Sequence, residues 1–153
     1  SVNQFEVTVI GDGPLKEKMK QLCFDNKVSN IFFIGKVSHD QVSAYMKNSD
    51  FLIHTSIKEA SSAVILEAIS NNLPVICHDA FGMSKLIADD LALPIVYESE
   101  RKSIELIAKY LIDISVGKIE QDNLSYQKIY SYTWDSKIAR ISEVYALILN
   151  KGN

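Results

Sequence analysis

The 153-residue sequence has only two cysteines, three prolines and one tryptophan, and just two of its sixteen basic residues, Arg101 and Arg140, are arginines. Each scarcity excludes something. Cys23 and Cys77 fall on a predicted helix and a predicted buried strand, which fits a reduced, cytoplasmic protein better than a disulfide framework. No apolar run approaches the ~18–20 residues that span a bilayer, and no leader pattern is visible. The net charge of −3 and a pI near 5.6 leave no footprint for nucleic acid. His39, His54 and His78 lack metal-ligand spacing. There is no internal repeat, linker or low-complexity segment. What the chain does have is 47% hydrophobic residues, enough for one core, so residues 1–153 are expected to form a single domain.

Apolar runs alternate with helical patterns, the mark of a parallel sheet with crossover helices. Strands are predicted at Phe5–Ile10, Ile31–Ile34, Phe51–His54, Pro74–Cys77 and Pro94–Tyr97. Between the first two, Gly11-Asp12-Gly13-Pro14 opens a helix with Leu15, Met19, Leu22 and Cys23 on one face. Ser38 and Gln41 are spaced as a capping box for the next helix, with Val42, Tyr45 and Met46 inward. A helix from Ser62 to about Ser70 ends at Asn71-Asn72, a predicted left-handed exit. A short helix is predicted around Ser84–Asp89. Ile104, Ile107, Ala108 and Leu111 mark a further helix, and Ile138, Ile141, Tyr145 and Ile148 the last. Tyr126, Tyr130, Tyr132 and Trp134 read as aromatic packing.

Glu59 and Glu67, eight positions apart, sit in the strand–loop–helix–strand unit that runs from Phe51 to His78. One acid falls on the loop and the other on the helix, about a turn and a half from its start. Backbone N–H groups and the positive end of the helix dipole between them suit a diphosphate, and the carboxylates can accept hydrogen bonds from sugar hydroxyls. Glu67 is flanked by Ile65, Leu66, Ala68 and Ile69, on a helix expected to be largely buried.

Phe51–Ile87 resembles the donor-binding core of the GT-B retaining glycosyltransferases, the group 1 or family 4 type. The resemblance rests on Glu59, Glu67, Ala68 and Leu73-Pro74-Val75. Val9-Ile10-Gly11-Asp12-Gly13-Pro14-Leu15, Phe33-Ile34-Gly35-Lys36-Val37 and Tyr132-Thr133-Trp134-Asp135 resemble the family's other landmarks, in the family's order. It implies a Rossmann-like, doubly wound parallel sheet of about five strands: the C-terminal half of the GT-B fold, with the first βα unit of the domain missing. The chain opens without an initiator Met and enters a strand almost at once, as a piece of a longer two-domain enzyme would. The missing strand would lie between Phe5–Ile10 and Phe51–His54, so direct closure or a swapped dimer is expected rather than an open gap.

The same resemblance implies the chemistry: transfer of a sugar from a nucleotide-diphosphate sugar to a hydroxyl acceptor with retention, in polysaccharide or lipopolysaccharide synthesis. It makes Glu67 the partner of the ribose hydroxyls and Glu59 a catalytic-site contact of the donor sugar. The Ala63 and Val64 amides would hold the distal phosphate. The family often has Gly or Pro immediately after the first Glu, and Ala60-Ser61-Ser62 contains neither; Ser61 and Ser62 serve either as hydroxyl donors or as an ordinary helix cap. Gly35, Lys36 and Val37 would meet the base, although Lys36 also reads as a solvated loop lysine. Gly11 and Gly13 form either a ligand-side turn or a plain βα turn. Gly82 and Met83 would face the sugar, and His54 and His78 end adjacent strands near that edge. No metal or cofactor is expected. The acceptor, a glycan or lipid-linked saccharide, would sit on the absent N-terminal domain, with the full-length enzyme peripheral to the membrane's inner face. The alternatives are another GT-B activity (a nucleotide-sugar epimerase or a sugar phosphorylase) and a flavodoxin-like or receiver-like signalling module.

Overall fold

The computed structural model describes residues 5–58, 63–80, 87, 92–119 and 126–150. The chain divides into two compact units, Ser1–Tyr45 and Met46–Asn153. The first holds β1 (Val7–Ile10), α1 (Lys16–Asp25), β2 (Ile31–Gly35) and most of α2 (His39–Lys47). The second holds β3 (Leu52–His54), α3 (Ala63–Ser70), β4 (Val75–His78), β5 (Leu93–Ile95), α4 (Glu100–Ser115), a 3-10 helix (Tyr126–Tyr132) and α5 (Trp134–Asn150). The helix expected around Ser84–Asp89 lies outside the described residues apart from Ile87, which is helical.

All five expected strands form, and every pairing is parallel. They make two sheets, β1–β2 and β3–β4–β5, rather than one.

In the second unit β4 is the central strand and all four of its residues are buried. Ile65, Ala68 and Ile69 of α3 join Leu73, Val75, Ile76, Cys77, Ala92 and Ile95 in the core. Each large side chain buried here contributes about 1.5–3 kcal/mol. Parallel strands covered on both faces read as continuous apolar runs, which is why Leu73-Pro74-Val75-Ile76-Cys77 was legible as a strand.

Helix ends follow local chemistry. Ser38 and Gln41 make the capping box: the Gln41 N–H donates to Ser38 Oγ at 3.3 Å, and the Ser38 N–H donates to Gln41 Oε1 at 2.9 Å. At the end of α3, Asn72 has φ +56°. The Leu73 N–H reaches the Ala68 carbonyl and the Asn72 N–H the Ile69 carbonyl, both at 2.9 Å. This is the Schellman arrangement. Lys27 after α1 and Gly117 after α4 take the same left-handed role.

Three helix faces differ from expectation. Leu15, just before α1, and Met19 and Leu22 on it are exposed. On α4 Ser103 is buried and Leu106, Ile107, Tyr110, Leu111, Asp113 and Ile114 are half-buried, so Ile107 and Leu111 face inward as expected, whereas Ile104 and Ala108 are exposed. Here the His78–Ser103 hydrogen bond and the Tyr110 hydroxyl, donating to the Pro94 carbonyl at 2.7 Å, fix the rotation of the helix. On α5, Ile138, Ile141, Tyr145 and Ile148 all face solvent. Tyr130 and Trp134 are also exposed rather than packed, and the Lys137 ammonium lies 5.3 Å from the Trp134 ring centroid. The Tyr126 side chain lies outside the described ones.

Candidate functional site

Five of the expected site residues, Glu59, Ser61, Ser62, Gly82 and Met83, lie outside the described residues. The rest fall into two groups, one in each compact unit.

In the second unit, Ala63 and Val64 are the first residues of α3. Their N–H groups belong to the turn that no intrahelical carbonyl satisfies. Glu67 lies one turn further on, ~6 Å along the axis, and is half-buried between Ile65 and Ala68, which are wholly buried. Its backbone carbonyl accepts from the Asn71 N–H at 3.2 Å and from Asn71 Nδ2 at 2.8 Å, which pins the last turn of α3. The helix follows β3 and returns into β4, so its N-terminus belongs to the carboxyl-end side of this parallel sheet, where open α/β sheets take their ligands.

His54 and His78 end β3 and β4 as expected. His78 is 3% exposed. Its Nε2 is 3.0 Å from Ser103 Oγ, Tyr97 meets it edge-on at 5.6 Å, and its Nδ1 has no hydrogen-bond partner among the described residues. The ring holds the first turn of α4 against the end of β4. Nearby, burial first and the Asp79 charge second push the Cys77 thiol up to about 11, so Cys77 is an inert core residue.

In the first unit, Gly11 and Gly35 sit at the carboxyl ends of β1 and β2 with φ of +123° and +87°. The Gly11 N–H donates to the Gly35 carbonyl at 2.8 Å, closing a register irregularity that places Ile10 opposite Gly35. Side chains are excluded at both positions by backbone conformation. Gly13 donates to Asp12 Oδ1 at 2.9 Å, a local turn. Lys36 is exposed and Val37 half-buried. The sequence reading passed over Lys16, which reaches Asp12 at 3.6 Å. Its spacing of four from Asp12 on an opening helix was the available signal.

Among the described residues no three His, Cys, Asp or Glu side chains gather as a metal site, and no helix is long and apolar enough to cross a membrane.

Parallel α/β units with glycine turns and a helix N-terminus at the strand ends define a Rossmann-like fold class. The chain belongs to the glycosyl transferases group 1 family, whose model matches residues 1–129. It is 25% identical over 146 residues to the uncharacterized glycosyltransferase MJ1178 of Methanocaldococcus jannaschii, covering 92% of this chain and 40% of that protein. It is 24% identical over 146 residues to the gpi3 subunit of the phosphatidylinositol N-acetylglucosaminyltransferase of Schizosaccharomyces pombe, covering 95% of this chain and 32% of that one. The chain thus spans well under half the length of these relatives. Among solved structures it resembles Anabaena HepE in complex with UDP-glucose, with a TM-score of 0.69 and 20% identity over 97% of this chain and 42% of that one. That likeness establishes the fold, the GT-B half expected from the sequence. Family membership removes the receiver-like signalling alternative.

Proposed function

We propose that this chain is the donor-binding domain of a longer, two-domain glycosyltransferase. The enzyme moves a sugar from a nucleotide-diphosphate sugar to a hydroxyl acceptor with retention, in polysaccharide or lipopolysaccharide synthesis. The observation that carries the reading is Glu67, a half-buried carboxylate on α3, the helix that joins β3 to β4 with its N-terminus toward their carboxyl ends.

In this reading the Ala63 and Val64 amides hold the distal phosphate, with the helix dipole offsetting the charge of the leaving diphosphate. Glu67 accepts both hydroxyls of the ribose diol, and Glu59 contacts the donor sugar. Gly35, Lys36 and Val37 meet the base, while Gly82 and Met83 face the sugar. Transfer proceeds without a metal or cofactor. The acceptor, a glycan or lipid-linked saccharide, docks on the other domain at the inner face of the membrane. Support comes from the family match and from HepE, a protein of this fold solved with UDP-glucose and with UDP.

The test is a binding screen of the full-length protein against UDP-, GDP- and ADP-sugars, with Glu67→Ala as the control. Binding of at least one donor, weakened by Glu67→Ala, is expected. A full-length protein that binds none of them, or whose affinity ignores Glu67, overturns the reading.

A further inference from the structure

α4 packs at β5, an outer strand of its sheet, where the Tyr110 hydroxyl donates to the Pro94 carbonyl at 2.7 Å. Its outward side is apolar as well. Ile104, Ala108, Ile112 and the C-cap residue Val116 stand four apart, and Ile104, Ile112 and Val116 are 67%, 60% and 60% exposed. On a helix of 3.6 residues per turn that spacing traces one continuous ridge. A single exposed isoleucine is ordinary, but a ridge running over about three turns marks a contact surface.

The strand expected between β1 and β3 belongs beside β3, at the opposite edge of this sheet from β5, so it is not the cover. Charge narrows the occupant further. α4 carries three acids (Glu100, Glu105, Asp113) and three bases (Arg101, Lys102, Lys109). An anionic lipid surface or a strongly acidic partner favours an excess of bases. A second copy, turned end for end, meets equal numbers of both signs. On the flank of the ridge Glu105 accepts from Arg101 Nε at 3.0 Å and lies 3.5 Å from Lys102. Lys109, one turn further along, has no ion pair among the described residues.

We propose that the outward ridge of α4 is a two-fold interface between copies of this protein. Ala108, the smallest residue of the ridge, lies at the crossing and lets the two helices approach closely. Ile104 of each copy then meets Ile112 of the other, and Lys109 comes within a turn of the partner's Glu105, twice over. A helix pair of about four turns falls below the roughly 1,200–2,000 Å² of a standard interface, so the dimer is weak and reversible. The inference stands apart from the donor-domain reading, and neither depends on the other.

The experiment is sedimentation of the full-length protein at increasing concentration, beside its Ile112→Glu, Glu105→Lys and Glu105→Lys/Lys109→Glu variants, each checked by a melting curve. Wild type is expected to dimerise reversibly. Ile112→Glu, at an exposed position, should keep the wild-type Tm and weaken association about tenfold or more. Glu105→Lys should weaken it several-fold at low salt, and the double reversal should restore it, because opposite charges again meet across the axis. Association through a swapped strand or through other parts of the protein would ignore all three variants, and that result overturns the inference. A full-length protein that stays monomeric to its highest soluble concentration overturns it as well.

Discussion

At the residue scale, the two glutamates differ in when their partners matter. The ribose contact proposed for Glu67 is made before and during reaction, so it is nearly uniform binding. In the full-length enzyme Glu67→Ala is expected to raise the donor KM with kcat little changed, whereas Glu59→Ala should lower kcat more, because charge develops on the sugar. Steady-state kinetics with donor varied at saturating acceptor separate them. Wild-type kinetics for Glu59→Ala, with only a lowered Tm for Glu67→Ala, would make the pair structural. Cys77 makes a different kind of prediction. Its thiol is raised from 9.0 to about 11, so between those values the unfolded chain has shed a proton that the native chain retains. Stability is therefore full below pH 9, falls as pH rises toward 11 and then levels off. Tyr110, raised by burial and donating to the Pro94 carbonyl, pulls the same way above its ordinary range. Urea midpoints measured across this window check the sign. Asp79→Asn should flatten the slope, since the Asp79 charge contributes to the Cys77 shift.

At the scale of the element, local chemistry could be read directly. The Ser38–Gln41 box and the left-handed Asn72 were visible because each needs only residues a few positions apart. Ser38→Ala is expected to cost about 1 kcal/mol, since the Gln41 N–H loses its acceptor. The third Schellman position was not visible in the same way, because nothing in Lys27 announces φ +54°. Lysine there carries a left-handed penalty that glycine lacks. Lys27→Gly should therefore raise stability by about 0.5–1 kcal/mol after the glycine's larger unfolded-state entropy is offset. A shift of the denaturation midpoint to higher urea at unchanged m-value would bear this out. Helix faces were less legible. Apolar periodicity located α4 and α5, and on α4 it found Ile107 and Leu111 of the inward side but not Ser103 or Tyr110. The rotation of α4 is set by Ser103 and Tyr110, two polar residues that a hydrophobic pattern passes over.

For the whole molecule, burial is concentrated in the second unit. Ile65→Ala is expected to cost about 2–5 kcal/mol by leaving a cavity beside β4. Ile141→Ser and Ile148→Ser, at positions 53% and 61% exposed, should change the stability of this chain by less than about 0.5 kcal/mol. Paired melting curves distinguish a core isoleucine from an exposed one. The isolated chain is also expected to bind nucleotide sugars weakly, because under the proposed reading the diphosphate-gripping cations and the facing domain lie elsewhere. Each missing charge-assisted contact is worth roughly 1.5–3 kcal/mol. Micromolar affinity for a UDP-sugar on this chain alone would show that those parts matter less. For the strand missing between β1 and β3, direct closure and a swapped dimer are both proposals, and sedimentation at increasing concentration distinguishes them.

The sequence by itself determined the strands, their parallel sense, the Ser38–Gln41 and Asn72 caps and the family. These depend on short-range spacing, on the continuous apolar runs of a covered sheet and on an ordered set of motifs. Tertiary structure decided the rest: that five strands make two sheets, that Lys16 turns inward over Gly35 beside Asp12, that His78 anchors α4 through Ser103, and that the apolar side of α5 stays in solvent. Those outcomes depend on which surfaces a neighbouring element reaches, and hydrophobic periodicity records only that a face is apolar. A lysine drawn in beside exposed leucines leaves no trace in that pattern, because the room for it comes from a glycine nineteen positions away in the chain.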